Sequence, residues 1–436
     1  MLAAIGCIAL FTLGTSALVV GPPAMGGDGL VYNFSAVRLL NTGIYSFNSL
    51  SINAIEQPDA FITPGYVLVL AFIYLFLPHA TGAYEILASA IPLITFMHFV
   101  CAIATVVLIS ATAQKIAGLR LGWIAGILAA LYLPFGAESM STWPENVGLL
   151  VATACLFLSV GLFESPRKDS IKWMVGLGVC GGVGIMMRPV TSLLLLVPIC
   201  FWGWKHRDDP RRTTAVMFVG CLGIVLVMTP WIIRNEVTLG KFIPLTTHAG
   251  TVWIDSVGGI TLSPAEQAMY SGALAQGKDG YQAVAFNRLR AKWKESPPKF
   301  IAWKLGQPWV LVGAPWSSQQ NPHSPPAPDG SVVIGPGHRV MSEPIYDTWT
   351  SIILGIHRIL LVLAVAGTFL LRRRPVVWLI ASGPLYYIAV HTVMLSWTRY
   401  FYPAMPAVIL LASIGVGYLV TVIADRVRGS AGASAA

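Results

Sequence analysis

The run Tyr66-Val67-Leu68-Val69-Leu70-Ala71-Phe72-Ile73-Tyr74-Leu75-Phe76-Leu77 decides how the chain is laid out. A helix of that length rises about 18 Å, short of the ~30 Å of hydrocarbon that a spanning helix must cross. If the run crossed a membrane, every later segment would change sides. Around it, apolar stretches long enough to cross lie at residues 1–20, 87–111, 121–137, 146–163, 172–187, 189–204, 213–231, 348–371, 376–395 and 402–424. The basic residues resolve the ambiguity, because connections rich in Lys and Arg stay on the cytoplasmic side. With 66–77 not crossing, one side collects Lys115, Arg120, Arg167, Lys168, Lys172, Lys205, Arg207, Arg211, Arg212, Arg372, Arg373, Arg374, Arg426 and Arg428. The short connections on the other side hold only Arg38, Arg188, Arg234 and Arg399. The run is therefore expected to lie along or dip into the outer surface, as an amphipathic or re-entrant segment does.

Composition excludes the soluble alternatives. Of 436 residues, 55% are apolar and 11% charged, against roughly 25% charged in a soluble domain. With a mean hydropathy of +0.69, the chain can be neither a soluble enzyme nor a disordered protein. The net charge of +9 sits in short clusters between apolar runs, which is a topology signal and not a nucleic-acid face. Cys7, Cys101, Cys155, Cys180, Cys200 and Cys221 all fall in apolar runs without CxxC spacing, and read as small buried hydrophobes. Residues 1–20 lack the basic n-region of a signal peptide and read as a first spanning helix.

The expected fold is an all-α polytopic membrane protein of about ten transmembrane helices, with outer juxtamembrane helices and both termini cytoplasmic. An N-terminal transmembrane module covers 1–231 and contains a first outer segment, 21–86. An outer region rich in Pro, Gly and Trp follows at 232–347, then a C-terminal transmembrane module at 348–428 and a disordered tail at 429–436.

On the outer side of this layout the first half of the chain gathers Asp28, Glu56, Asp59, Glu85, Glu138 and Glu145. Arg188, Arg234 and Arg399 stand at outer helix ends. Each has a bland role available: Asp28 as the cap of the helix after it, Glu145 as an acid at a helix start, and the arginines as interfacial anchors. Basic residues are disfavoured on that side, however, so three isolated arginines call for a local anion such as a lipid phosphate. His98 and His391 read as satisfied by neighbouring backbone or hydroxyl groups. Arg358, near mid-helix, is expected to face a partner or a polar cavity. The sequence contains no HExxH, P-loop or GxSxG motif.

Asp28-Gly29-Leu30-Val31-Tyr32, with Ala36, Leu39-Leu40 and Thr42-Gly43-Ile44-Tyr45, resembles the first outer loop of GT-C class membrane glycosyltransferases. The nearest branch is the bacterial one of the protein O-mannosyltransferase and aminoarabinose transferase-like superfamily. Thr63-Pro64-Gly65-Tyr66, Trp143-Pro144-Glu145, Arg188-Pro189, Thr229-Pro230-Trp231-Ile232-Ile233-Arg234-Asn235, Gly240 to Leu245, and Arg399-Tyr400 with Pro403 and Pro406 fit the same pattern. Ser296-Pro297-Pro298-Lys299-Phe300 fits it more loosely. The resemblance implies transfer of a sugar from a polyprenyl-phosphate carrier to a lipid, glycan or protein of the cell envelope, on the extracytoplasmic face, with inversion. It implies Asp28 as the base. Arg234, Arg399 and Arg188 are expected at the donor phosphate, and Glu145, Tyr32, Tyr66, Tyr400 and His248 as acceptor or supporting residues. Many members carry a second acid where this chain has Gly29, with Glu145 a substitute. No cofactor is assigned, and a divalent cation stays open. Two other readings compete. A transporter or lipid flippase predicts paired midplane charges and inverted repeats, and a polysaccharide polymerase or ligase does not require Asp28 beside the first helix.

The layout is open to direct test. In a background without native cysteines, a cysteine placed at position 280 should react with an impermeant reagent added outside intact cells, and one at position 209 should not. Outside labelling of position 209 would invert the arrangement.

Overall fold

The computed structural model describes residues 1–20, 28–47, 57–77, 83–247, 249–259, 261–275, 279–315, 331–334, 339–394 and 396–433. The N-terminal helices are α1 (Leu2–Val20), α2 (Asp28–Thr42), α3 (Gly65–Tyr74), α4 (Ala83–Ala130), α5 (Pro134–Glu138), α6 (Glu145–Glu164), α7 (Ser170–Met187), α8 (Thr191–Leu194), α9 (Leu196–Lys205) and α10 (Pro210–Leu239). The outer region supplies α11 (Ala249–Asp255), α12 (Pro264–Ala275), α13 (Gly280–Glu295) and α14 (Pro297–Val312). A short antiparallel pair, β1 (Ser331–Ile334) and β2 (Arg339–Ser342), leads into α15 (Glu343–Leu370), α16 (Pro375–Val393) and α17 (Met405–Ala433).

Among the described residues seven helices are long and apolar enough to cross a membrane, and α1 and α3 are shorter apolar helices. The difference from ten has local causes. The spans expected at 87–111 and 121–137 are the two arms of α4, which meet at Ala117 and Gly118, where the backbone leaves the helical region (φ −149° and +80°), so the two arms count as one among the seven. Its second arm stops at Ala130, before Pro134, which cannot continue the backbone ladder, and α5 resumes the climb. The stretch 189–204 is divided between α8 and α9. α17 runs on to Ala433, so helix covers residues 429–433 of the expected tail. Ala is the strongest helix former and carries the ladder past Gly429. The run at 66–77 is the short helix α3, whose Tyr66, Val67, Leu70, Ala71 and Tyr74 are buried while Leu68 and Phe72 face outward.

Two apolar cores hold the bundle. One joins α1, both arms of α4, α5, α15, α16 and α17; the other joins α2, α3, the start of α4, α7, α9 and α10. α4 and α6 contribute to both, so the first arm of α4 and the helix that begins with Glu145 form the seam between them. The α7–α10 contact is backbone to backbone, since a Cβ on Gly178 would lie 2.3 Å from the Gly220 carbonyl oxygen.

The basic connections gather at one end. Arg167 pairs with Asp208, and Arg212 donates to the Arg167 carbonyl at 3.0 Å. Lys115 lies 4.5 Å from the Trp173 ring centroid, and Arg372 and Arg373 share a hollow with Trp204. Cys101 is buried, whereas Cys7, Cys200 and Cys221 are exposed on apolar helices. Half the cysteines therefore face outward in a surface that is itself hydrophobic, where a thiol costs little.

At the other end α11, α12 and α13 form a small unit around Ile254, Val257, Val284 and Ala285. Arg288 braces it, donating to Glu266 at 2.7 Å and to the carbonyls of Gly259 and Thr261 at 2.8 Å. Arg288, together with the Ser263 amide, pulls the Glu266 carboxyl down to about 2. A depressed carboxyl stabilises the fold above its ordinary range near ~4.3 and loses that contribution as the pH falls toward the folded value. Amide exchange of Gly259 to Ser263, referred to the intrinsic rate at each pH, should therefore accelerate on acidification through that interval. Glu266→Gln should start fast and show no such dependence.

Candidate active site

α2 begins with Asp28, an acid at the positive end of a helix dipole. The residue after it must be glycine for steric reasons. A Cβ on Gly29 would lie 2.3 Å from Thr142 Oγ1 and 3.0 Å from the Trp143 ring. The place of a second acid is filled by the 142–143 loop. Asn33 donates to the Gly29 carbonyl at 2.7 Å and accepts from the Tyr74 hydroxyl at 2.8 Å, which fixes α2 to α3.

The same loop is pinned from below. Tyr66 Oη donates to the Thr142 carbonyl at 2.9 Å and lies 3.0 Å from His98 Nε2. His98 Nδ1 lies 2.8 Å from the Ser141 carbonyl, so Nδ1 carries a proton. Asn146 donates to Ser139 Oγ at 3.0 Å and accepts from Tyr402 at 2.7 Å, tying the loop to the last span.

Two ion pairs stand on this scaffold. Arg188, just past α7, pairs with Glu145 at the start of α6, and the two side chains are 14% and 1% exposed. Arg399, in the turn before α17, donates to Asp28 Oδ2 at 3.1 Å and to Tyr400 Oη at 3.2 Å. Its guanidinium lies among the rings of Trp143, Trp397 and Tyr400, 4.6 to 5.1 Å from their centroids. Arg399 is 11% exposed and Asp28 52%, so the carboxylate is the open face of the pair.

Tyr32 belongs to this group. Burial holds its phenol far above the usual range, with Asp28 and Glu145 adding to the effect and Arg188 and Arg399 opposing it. Its ring sits 5.2 Å from that of Tyr66, and Tyr400 stacks on His391 at 4.7 Å. Six of the expected residues, Asp28, Glu145, Arg188, Arg399, Tyr32 and Tyr400, are thus brought together, with Tyr66 beneath them.

Arg234 is placed differently. It donates to the carbonyls of Asp59 at 2.5 Å and Tyr45 at 3.0 Å and to Asn235 Oδ1 at 2.9 Å. It lies over the Tyr45 and Trp231 rings, strapping α10 to the first outer segment. Asp59 itself organises that segment, accepting from Ser46 and from the amides of Phe47 and Phe61. His248, Glu56 and the side chain of Glu85 lie outside the described residues. Arg358 is exposed, and it is the preceding residue that faces inward: His357 lies 3.0 Å from Tyr132 Oη and 2.9 Å from the Val312 carbonyl.

Asp255 went unremarked in the sequence. Burial raises its carboxyl, Arg399 opposes the rise and Asp28 adds to it, so Asp255 of α11 lies within electrostatic reach of the Asp28–Arg399 pair. The available signal was its place as the last residue of α11, the negative end of a helix, where an acid is unfavourable. Among the described residues no three His, Cys, Asp or Glu side chains converge on a common point suited to a metal. The two carboxylates of the cluster are engaged by guanidinium groups instead.

From Arg188 an apolar groove runs into the membrane-spanning region. It is a narrow crevice of about 70 Å³, lined by Val151, Leu156, Gly184, Leu195, Tyr387 and Ala407 among others.

The family model for dolichyl-phosphate-mannose-protein mannosyltransferases matches residues 80–233. The oligosaccharyltransferase of Archaeoglobus fulgidus in its apo form is similar over 97% of this chain and 52% of its own, with a TM-score of 0.52 and 11% identity. The same figures describe the archaeal oligosaccharyltransferase AglB from that organism in complex with an inhibitory peptide and a dolichol-phosphate. The chain has the GT-C membrane glycosyltransferase fold. ArnT from Cupriavidus metallidurans aligns at 15% identity over 95% of this chain and 77% of its own, with a TM-score of 0.43. The chain spans about half the length of the oligosaccharyltransferases. No curated protein sequence matches it.

The Glu145–Arg188 pair is buried enough for its removal to be read in stability. Glu145→Ala strands a hidden guanidinium and should cost about 3–5 kcal/mol, whereas Glu145→Ala with Arg188→Met should recover most of that loss. Thermal unfolding in detergent measures both.

Proposed function

We propose that this protein is a glycosyltransferase of the extracytoplasmic membrane face, moving a sugar from a polyprenyl-phosphate donor to a cell-envelope acceptor. The observation that carries the reading is the pair of buried arginines: Arg188 at the head of a narrow apolar crevice, next to Arg399 paired with an exposed carboxylate. An isoprenoid chain would lie along that apolar lining, and its phosphate would arrive at Arg188 and Arg399, whose guanidinium groups match phosphate oxygens. Arg234, occupied by three oxygen acceptors of the chain itself, serves as a strap.

The chemistry follows from the placement. An acceptor hydroxyl oxygen attacks the anomeric carbon, and the bond from that carbon to the phosphate oxygen breaks. The hydroxyl proton passes to Asp28, and the polyprenyl phosphate leaves with an extra negative charge that the two arginines hold. A single displacement inverts the anomeric carbon. Aimed donors of this kind act where charge develops, and a positioned base adds about 10²–10⁴-fold. Asp255, within electrostatic reach of Asp28, would sit on the acceptor side and supply the second carboxylate that Gly29 cannot. The basic connections lie at the opposite end, consistent with a site that opens outside.

Asp28→Asn keeps an amide of the same shape at the start of α2 but cannot take a proton. It should bind donor at least as tightly, since the anion that competes for Arg399 is gone, and transfer sugar at least ~10²-fold more slowly. Arg399→Gln should weaken donor binding by ~1.5–3 kcal/mol, the value of a charged hydrogen bond, while Arg234→Gln leaves donor affinity unchanged. Labelled-donor transfer and donor binding, measured on the same preparations, separate these outcomes. Near-native transfer by Asp28→Asn would remove the base from Asp28.

A further inference from the structure

We infer that the elbow between α13 and α14 is a docking surface for anionic phospholipid headgroups, in the leaflet on which the Asp28–Arg399 pair opens. The segment reads Arg290-Ala291-Lys292-Trp293-Lys294-Glu295-Ser296-Pro297-Pro298-Lys299-Phe300-Ile301, with four basic residues and one acid. Arg290, Lys292, Lys294 and Lys299 are all exposed. The neighbouring basic side chains are committed within the protein: Arg288 to Glu266, and Lys304 to the Val393 carbonyl at 2.8 Å.

The depth of the elbow follows from what α14 touches. Its last residue, Val312, accepts from His357 Nε2 at 2.9 Å. His357 lies thirteen residues before the end of α15 at Leu370, which is about 20 Å of helix and inside the hydrocarbon layer. Lys304 meets α16 at its last residue, Val393, near Arg399. α14 thus descends beside the site, and its start is about 22 Å farther out along the helix axis than its end.

The exposed faces suit those depths. Ile301, Leu305 and Trp309, spaced by four, are 48%, 66% and 76% exposed and form one apolar stripe. Above the stripe come Lys299, then Lys294 and Arg290, with Trp293 at 47% exposure. Apolar below, aromatic and basic above is the order of acyl chain, interface and headgroup. Four exposed cations grouped above an apolar stripe are complementary to an anionic leaflet, which supplies a field of anions. Each such charge is worth about fivefold in the docking equilibrium. The surface belongs to the same outer unit that carries Asp255, so docking would hold that unit over the site whatever reaction occurs there.

The test uses the full-length protein in nanodiscs of phosphatidylcholine alone or with phosphatidylglycerol, read by hydrogen exchange of residues 288–305. Phosphatidylglycerol should slow exchange in this segment, and added salt should reverse the effect. The triple variant Arg290→Gln, Lys294→Gln, Lys299→Gln should lose a response of up to about 100-fold. The charge-conserving triple, Arg290→Lys, Lys294→Arg, Lys299→Arg, should keep it. Equal exchange in both lipids, a full response in the Gln triple, or loss in both triples would overturn the proposal. So would equal protection, in phosphatidylcholine discs, by a soluble acidic polymer.

Discussion

A guanidinium group hidden from water must be given an anion, and this protein hides two side by side. Arg188 and Arg399 are 14% and 11% exposed at the outer end of a bundle whose composition offers almost no charge elsewhere. Here carboxylates and ring faces offset the cost of burying them. Glu145 and Asp28 supply the first, Trp143, Trp397 and Tyr400 the second. These partners come from the first outer segment, the start of α6, the end of α7 and the turn before α17. The demand for pairing therefore draws together pieces of chain up to 371 residues apart.

What keeps the pieces in place is neutral. The loop bearing Thr142 and Trp143 is clamped by Tyr66, His98 and Asn146, all buried, and Asn146 reaches the last span through Tyr402. α2 approaches that loop so closely that only a hydrogen fits at position 29. The fold therefore trades a second acid in the first segment for a tight α2–loop contact. An acid from the outer region, Asp255, comes within electrostatic reach of the same place. Arg234 has a comparable structural use, joining α10 to the turn that Asp59 shapes.

The membrane class, the gathering of the cluster at the end away from the basic connections, and most of the cluster were legible because hydropathy and the positive-inside rule act on residue type and rough position alone. They mark Arg188 and Arg399 as anomalous whatever the detailed geometry. The same rule marks Arg234, which the structure places against the carbonyls of Asp59 and Tyr45. An arginine that meets a ligand and one that meets backbone carbonyls look identical until the carbonyls are placed. Arg358 shows the limit of reading one residue at a time, since a step of one turns the side chain by 100° and His357 is the inward residue. The bend in α4 was anticipated as a connection, but not the early stop at Ala130. That stop was written in Pro134, and its consequence, a mid-depth turn holding Tyr132 against His357, depends on α15. Asp255 required the tertiary structure, because nothing in the sequence around it shows that the end of α11 comes within electrostatic reach of Asp28 and Arg399.

The pairing of Arg188 and Arg399 with carboxylates also bears on how sugar transfer would be controlled. Unpartnered arginines at this depth would be costly and would take any anion that diffused in. With Asp28 on Arg399, an incoming phosphate exchanges one oxyanion for another, so most of the desolvation cost has already been met in the fold. The exchange also frees the carboxylate: once phosphate holds the guanidinium, the Asp28 oxygens are released from Arg399 and can turn to the acceptor hydroxyl. The base would then come into position only together with donor, next to the carbon that the acceptor must attack.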